Sequence, residues 1–230
     1  MGSSRKKRIG IVVAIEVGSV LERYGTPDRT VTQYGYTVRT YMNDAFELYV
    51  LESGAGEIAA AAGTQLLIAV YQVDMIVNFG VVGALTEEMS VAELCVVERV
   101  IHYDLDTTDW MDLPRGQYPG MESPYVLTDP ALTDRVAGLA PGIRRVTCAS
   151  ADKFVSAAAD KAYLHDTFQA DICEMESAGI VLTCRRCGVP CLLIKAVSDS
   201  LVGGGREFAS ELARVSAVCF ELVDRVIRSM

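Results

Sequence analysis

The sequence is poor in histidine, in positive charge and in long apolar runs. Only two histidines occur among 230 residues, and the CxxC pair Cys184 and Cys187 lies in a helical pattern without a second ligand pair, so we expect no metal site. No segment reaches the roughly 18 consecutive apolar residues of a membrane helix, so we expect no membrane association. The net charge of −9 argues against a nucleic-acid partner, because phosphate binding requires a basic face.

Apolar residues, by contrast, are abundant. Half of the chain is hydrophobic, which is enough for a large core, and we expect one domain over residues 9–230 after a basic, flexible tail over residues 1–8. The seven cysteines are odd in number and lie in apolar segments, which suits a reducing compartment. The start of the chain lacks the cleavage site of a signal peptide. We therefore expect a cytoplasmic protein.

Four polar side chains follow predicted buried strands. Glu174 and Glu176 stand where a short strand gives way to a helix, and Ser198 and Asp199 end a nearly continuous apolar run over residues 189–197. In open α/β sheets, ligands bind at the carboxyl ends of the strands. The residue types alone leave two interpretations open: the carboxylates favour a helix dipole, or they hold and protonate a polar ligand.

Glycines and one long loop mark the remaining candidate positions. The segment 53–56 is a glycine turn before an Ala-rich helix, and Gly80-Val-Val-Gly83 is predicted to be a second turn after a buried strand over residues 73–79. Alternating residues over 35–42 and 46–51 predict a hairpin. The loop from residue 102 to residue 124 carries the only tryptophan, Trp110, and loops of this length usually serve function or an interface.

Six segments distributed over nearly the whole chain carry a family resemblance. They are Gly10-Ile-Val-Val-Ala14, Ser53-Gly-Ala-Gly56, Val77-Asn-Phe-Gly-Val-Val-Gly83, Tyr103-Asp-Leu-Asp-Thr-Thr108, Glu174-Met-Glu176 and Val197-Ser-Asp199. With these segments the chain resembles the purine nucleoside phosphorylase and nucleosidase superfamily, and most of all its 5′-methylthioadenosine/S-adenosylhomocysteine nucleosidases. The Glu-Met-Glu and Ser-Asp pair is specific at this separation, whereas the glycine turns only support it.

The resemblance implies an α/β fold, a three-layer α/β/α sandwich around a central mixed, partly closed sheet, and a homodimer. It implies hydrolysis of the N-glycosidic bond of a purine nucleoside, without metal or cofactor. Cleavage of this bond leaves positive charge on the ribose and negative charge on the base, so the site needs a proton donor at the base and an acidic, hydroxyl-binding group at the sugar. Asp199 and Glu176 suit these two tasks.

The resemblance also assigns roles to individual residues. Asp199, helped by Ser198, is expected to protonate or hydrogen-bond N7 of the leaving purine, and Glu176 is expected to hold the ribose hydroxyls. The other expected contacts are Met175 under the sugar, Glu174 at the strand end or a ribose hydroxyl, Phe154 stacked on the base, the backbone of Val155 at its edge, Val82 and Gly83 in the site wall, and Trp110 reaching over a partner subunit's 5′ pocket.

The nucleophile is indicated by what stands at two family positions. Family phosphorylases place arginines on phosphate where this chain has Asn78-Phe79 and Ala14-Ile-Glu16, so hydrolysis is favoured over phosphorolysis. The family's water-activating glutamate falls at Gly18, and we expect Glu16 to replace it as the general base, because Gly18 allows the turn to bend differently. The alternatives are a solvent-facing Glu16 and a catalytically weak nucleoside-binding or storage relative. The 5′ substituent of the substrate stays open.

Overall fold

The computed structural model describes residues 5–230. Its strands are β1 (Lys7–Val13), β2 (Arg29–Gln33), β3 (Tyr36–Met42), β4 (Phe46–Glu52), β5 (Met75–Ala84), β6 (Leu94–His102), β7 (Tyr125–Leu127), β8 (Arg144–Ser150), β9 (Ile172–Glu174) and β10 (Cys191–Asp199). Its helices are α1 (Val17–Tyr24), α2 (Glu57–Ala69), α3 (Pro130–Leu139), α4 (Ala158–Phe168), α5 (Ser177–Cys187) and α6 (Gly205–Arg228). Within the described part of the chain, no helix is long and apolar enough to cross a membrane.

Five strands of the sheet close into a ring. Strand β10 pairs in parallel with β5 and antiparallel with β6, and β8 and β9 lead from β6 back to β5. Strands β1, β4, β3 and β2 extend from β5 as an open wing, and β7 pairs with β6. Parallel and antiparallel pairs are both present. The mixed, partly closed sheet is therefore confirmed.

Helices cover both faces of this sheet. The helices α2 and α5 pack together on one face, and α6 packs on β5 and β10 across the other, with α1 and α3 beside it. Because successive strand residues point to opposite faces, Val12 joins the α2 and α5 cluster while Ile11 and Val13 join the cluster below α6. Both faces are buried, which explains why the central strands are apolar at nearly every position. The three-layer prediction is confirmed.

The hairpin prediction is confirmed by the antiparallel pair of β3 and β4, whereas the predicted turn at Gly80-Val-Val-Gly83 is wrong. Strand β5 continues through Ala84, with Gly80 paired to Lys195 and Gly83 paired to Asp199 on β10. The two glycines do not bend the chain. Their missing side chains leave room for the carboxylates of Glu16 at Gly80 and of Asp199 at Gly83.

The start of the domain lies earlier than residue 9. Strand β1 begins at Lys7, and the backbone N–H of Arg8 donates to Asp74 at 2.7 Å while its side chain donates to Glu47 at 3.0 Å. These two basic residues therefore belong to the sheet rather than to a tail. Residues 1–4 of the predicted tail lie outside the described residues.

Candidate active site

A cavity of about 280 Å³ opens at the carboxyl ends of β1, β5, β9 and β10. It brings together all but one of the residues that the sequence selected for the site. Its wall consists of Ala14, Ile15, Glu16, Ala55, Val81, Val82, Gly83, Lys153, Phe154, Val155, Cys173, Glu174, Met175, Glu176, Ser198, Asp199 and Phe208. The exception is Trp110. Strand ends from distant parts of the chain thus form one apolar pocket that carries four carboxylates.

Asp199 is held at the end of β10 by two donors. The Ser198 hydroxyl donates to its Oδ1 at 3.0 Å, and the Lys161 ammonium donates to its Oδ2 at 2.6 Å. Asp199 is only 2% exposed. Gly83 of β5 makes this arrangement possible, because a Cβ there would lie 3.1 Å from Oδ2 of Asp199. The acid therefore has a fixed orientation at the floor of the cavity.

Glu176 precedes the first turn of α5 and reaches the glycine turn before α2. Its Oε1 accepts a hydrogen bond from the backbone N–H of Gly56 at 2.9 Å. Burial, followed by the charge of nearby Glu174, raises the pKa of Glu176 to about 7. Met175, beside it, is half-buried in the wall. At neutral pH this carboxylate is poised between its two protonation states, and it ionises readily where a ligand brings positive charge.

Glu174 has a structural environment. Its carboxylate accepts hydrogen bonds from the backbone N–H groups of Glu176 and Ser177 at 3.0–3.2 Å and forms an ion pair with Lys195 at 3.0 Å. Burial alone would raise its pKa, but the Lys195 charge and side-chain hydrogen bonds from Ser150, Lys195 and Ser177 together lower it. The same pair raises the pKa of Lys195. Glu174 therefore stays ionised and fixes the start of α5, as the strand-end alternative predicted.

Glu16 lies in the cavity wall and is only 7% exposed. Its Oε1 accepts from the backbone N–H of Val81 at 3.2 Å, and its Oε2 accepts from the backbone N–H of Ile15 at 3.0 Å. A Cβ at Gly80 would come within 2.9 Å of Oε1. The glycine of β5 thus admits this carboxylate, and the solvent-facing alternative is wrong. Each oxygen keeps a free lone pair for a further donor.

The aromatic wall is formed by two side chains, of which the sequence indicated one. Phe154 stands at the mouth and packs edge-on against Phe208 of α6, with 5.3 Å between the ring centroids. Val155 follows Phe154 and is buried. Val82 and Gly83 of β5 also line the cavity. Phe208, in the first turns of α6, was not predicted as a site residue.

Trp110 lies outside this cavity in its own subunit and is 73% exposed. Its backbone N–H bonds the carbonyl of Thr107 within the loop after β6. Trp110 therefore does not fill the core of its own subunit. The exposed indole is accessible to another molecule, and within its own subunit it does not line the cavity.

Two buried polar residues were not predicted. Lys161 of α4 pairs with Asp199, and Glu57 of α2 lies behind Glu174 and Glu176, where it accepts hydrogen bonds from Ser150 and Gly179. Burial raises the pKa of Glu57 to about 8, and the charge of Glu174 adds to the effect. For Lys161 one signal existed, because it shares a helix face with the apolar Leu164 and Phe168.

The fold and the cavity define the class of protein. A sequence profile of the phosphorylase superfamily matches residues 8–228, and the chain belongs to that superfamily.

Comparison with individual relatives identifies the branch of the superfamily. The chain is 30% identical over 199 residues to the 5′-methylthioadenosine/S-adenosylhomocysteine nucleosidase of Hydrogenovibrio crunogenus, covering 84% of this chain and 85% of the relative. It is 32% identical over 163 residues to the enzyme of that name from Geobacillus kaustophilus, covering 68% of each. The crystal structure of the Helicobacter pylori nucleosidase with butyl-thio-DADMe-Immucillin-A shares the fold, with a TM-score of 0.94, 23% identity and coverage of 99% of this chain and 100% of that one. The branch indicated by the sequence motifs is confirmed.

Proposed function

We propose that the protein hydrolyses the N-glycosidic bond of a purine nucleoside, 5′-methylthioadenosine or S-adenosylhomocysteine, and releases adenine and a ribose derivative. One observation carries the proposal: Asp199, Glu176 and Glu16 come from three distant parts of the chain and line a single apolar cavity. Two relatives at 30% and 32% identity bear the name of nucleosidases for these two compounds. Such a reaction would serve methionine salvage.

The proposed chemistry divides between the two ends of the scissile bond. Asp199 with Ser198 protonates N7 of the base, so that the purine leaves as a neutral molecule. Glu176 accepts hydrogen bonds from the ribose hydroxyls, and its charge stabilises the cationic sugar that forms as the bond breaks. Met175 supports the sugar, while Phe154 and the backbone of Val155 receive the base. No metal or organic cofactor has a role in this scheme.

Water is the proposed nucleophile, with Glu16 as the base that accepts its proton. Glu16 is supported in this role by its burial in the wall and by the two backbone donors that orient it. Phosphorolysis would require cations for a phosphate. Among the described residues that line the cavity, the only basic one is Lys153, whose ammonium is engaged with Asp160 at 2.8 Å. This electrostatic environment favours a neutral nucleophile.

The proposal includes a homodimer in which Trp110 of one subunit covers the 5′ side of the partner's cavity. Trp110 is 73% exposed, so its indole is accessible to a partner subunit, and its place after the Asp-x-Asp-x-Thr run supports this role. The proposed compartment is the cytoplasm, which the seven free thiols of the chain support.

The decisive experiment incubates the purified protein with a panel of purine nucleosides, with and without phosphate, and identifies the sugar product. Free methylthioribose or ribosylhomocysteine together with adenine is the expected result. Asp199→Asn should reduce kcat by about 10²–10⁴-fold, whereas the exposed Asp166→Asn is the matched control. A sugar 1-phosphate would instead show phosphorolysis. Tight nucleoside binding without any product would show a non-catalytic relative.

A further inference from the structure

Lys161 is a fully buried lysine that contacts the candidate acid rather than the substrate. It projects from α4 beside Leu164 and Phe168, on the apolar face of that helix, and its side chain is 0% exposed. Its ammonium donates to Oδ2 of Asp199 at 2.6 Å and to the carbonyl of Ser200 at 2.7 Å. A buried ammonium is costly unless its partners are well placed. The position therefore invites a functional explanation.

The pair occupies a tightly enclosed space. A Cβ on Gly83 would lie 3.1 Å from Oδ2 of Asp199 and 3.5 Å from the nitrogen of Lys161. Among residues 5–230, Asp199 is the only acidic side chain in ion-pair contact with Lys161. The ammonium and the carboxylate thus form a closely packed pair, in which Asp199 lines the cavity and the fully buried Lys161 lies behind it.

This unit creates a difficulty for the proposed mechanism. Asp199 must deliver a proton to the leaving base, yet a carboxylate paired with an ammonium is normally ionised. Its second neighbour, the hydroxyl of Ser198, donates a hydrogen bond at 3.0 Å but is a far weaker acid than an ammonium. Among residues 5–230, Lys161 is therefore the side chain in contact with Asp199 that is acidic enough to supply the missing proton while substrate fills the cavity.

We propose that Lys161 is the proton source for Asp199, an inference that rests on the proposed hydrolysis. As the bond from the sugar to the base weakens, a proton leaves the Lys161 nitrogen for Oδ2 of Asp199, and the carboxylic acid formed in this way gives one proton to N7. Lys161 is then a neutral amine and Asp199 is again a carboxylate. The electron pair of the broken bond stays on the purine, which departs neutral. After product release, Glu16 gives the proton of the attacking water to solvent, and the Lys161 amine takes up one proton from solvent through Asp199, so that the cycle balances. Lys161 is a positioning and supplying residue, since it does not touch the substrate.

Two substitutions separate proton supply from charge and from packing. Lys161→Met preserves length without charge or acidity. Lys161→Arg preserves the charge and the hydrogen bond to Asp199, but a guanidinium does not lose its proton in a protein. Both variants should lose about 10²–10⁴-fold in kcat on methylthioadenosine, the range of general acid catalysis. Leu164→Ala, which perturbs the same helix face without reaching Asp199, is the matched control.

The leaving group provides a readout that a structural role would not change. A 4-nitrophenyl riboside with the same 5′ substituent releases 4-nitrophenolate, which leaves without protonation. Both Lys161 variants should therefore hydrolyse this substrate within about threefold of the wild-type rate. Equal losses on both substrates would overturn the proposal, as would full nucleoside activity in Lys161→Arg. Asp199→Asn tests the underlying function separately: if it keeps nucleoside activity, the acid itself is misassigned.

A double variant guards against misfolding of the single ones. Lys161→Met combined with Asp199→Asn leaves two neutral groups side by side, so neither charge is buried alone. Its nucleoside rate should equal that of Asp199→Asn, because the proton source has no effect once its acceptor is gone. A further tenfold loss in the double variant would show that Lys161 acts independently of Asp199 and would refute the relay.

Discussion

Glu57 is the residue at which the structure makes its sharpest energetic prediction. The carboxylates of Glu174 and Glu176 line the cavity, and that of Glu57 lies behind them. Among residues 5–230, Lys195 forms an ion pair with Glu174 only. Burial raises the pKa of Glu57 from 4.5 to about 8. In the unfolded chain the same carboxyl ionises near its ordinary value. Between these two pH values the native protein therefore holds a proton that the unfolded chain has lost.

The sign and size of the effect follow from linkage. The free energy of unfolding falls with rising pH wherever the native state binds more protons than the unfolded state. Each pH unit in that window is worth about 1.4 kcal/mol, so Glu57 alone lowers stability by at most about 5 kcal/mol between pH 4.5 and pH 8. Below that window the stabilising contribution of the neutral carboxyl is fully present, and above it the contribution is lost.

Glu57→Gln should remove this dependence, since an amide does not titrate. At pH 5 the variant should be about 1 kcal/mol less stable, because one acceptor for Ser150 or Gly179 is lost. At pH 9 it should be about 3 kcal/mol more stable than the wild type, because the wild type loses about 4 kcal/mol above pH 5 and the variant starts about 1 kcal/mol lower. Urea unfolding at intervals from pH 5 to pH 9 measures the difference, with the exposed Glu221→Gln as control. Parallel curves for wild type and Glu57→Gln would refute the argument, because they would show an ionised Glu57 in the native state throughout.

Three further predictions concern the cavity itself. Glu176→Gln should lower kcat/KM about 10–100-fold through lost charge-assisted hydrogen bonds. Because the pKa of Glu176 is raised to about 7, kcat/KM of the wild type is expected to rise near that pH, and the variant should lack this rise. A collapse of Tm with unchanged turnover per folded molecule would make the residue structural. Glu16→Gln should lose about 10²-fold or more, while Gly18→Glu, which meets no atom within 4 Å of its Cβ, should gain little; a silent first variant with a large gain in the second would show that the water-activating group is absent. Trp110→Ala should weaken the dimer and raise KM, and sedimentation of a fully active monomer at micromolar concentration would contradict a shared site.

The strands and the acid of the candidate site could be predicted because burial on both faces leaves a direct record in the sequence. Strand β10 is apolar at nearly every position until Ser198 and Asp199, so its end and the residues delivered there were identifiable. The turn assigned to Gly80 and Gly83 failed for a physical reason. Glycine signals either positive φ or close approach of another group, and only the fold reveals that Glu16 and Asp199 approach these two positions.

The buried lysine shows what local patterns leave undecided. Lys161 lies between exposed residues of α4, and although it shares a helix face with the apolar Leu164 and Phe168, its partner Asp199 comes from β10 and leaves no mark in the local pattern. Glu57 is similar, since its surroundings come from α5 and β8 rather than from neighbours in sequence. Whether the Glu16 side chain faces the cavity or solvent depended on the backbone path from β1 into α1. In each case the partner is distant in the chain, and contacts between distant residues produce no periodic pattern in the sequence from which they could be predicted.

The ring of strands ties the maturation of the cavity to the last steps of folding. Strand β10 closes the ring by pairing Cys191 with Ile76 and Asp199 with Gly83, contacts that span half of the chain and are slow to form because a large loop must be ordered first. Asp199 reaches Lys161 and Gly83 only when this strand docks. During refolding, recovery of turnover should therefore lag behind the recovery of helical signal and coincide with closure of the ring. The recovery of enzyme activity would then report the rate at which β10 pairs with β5.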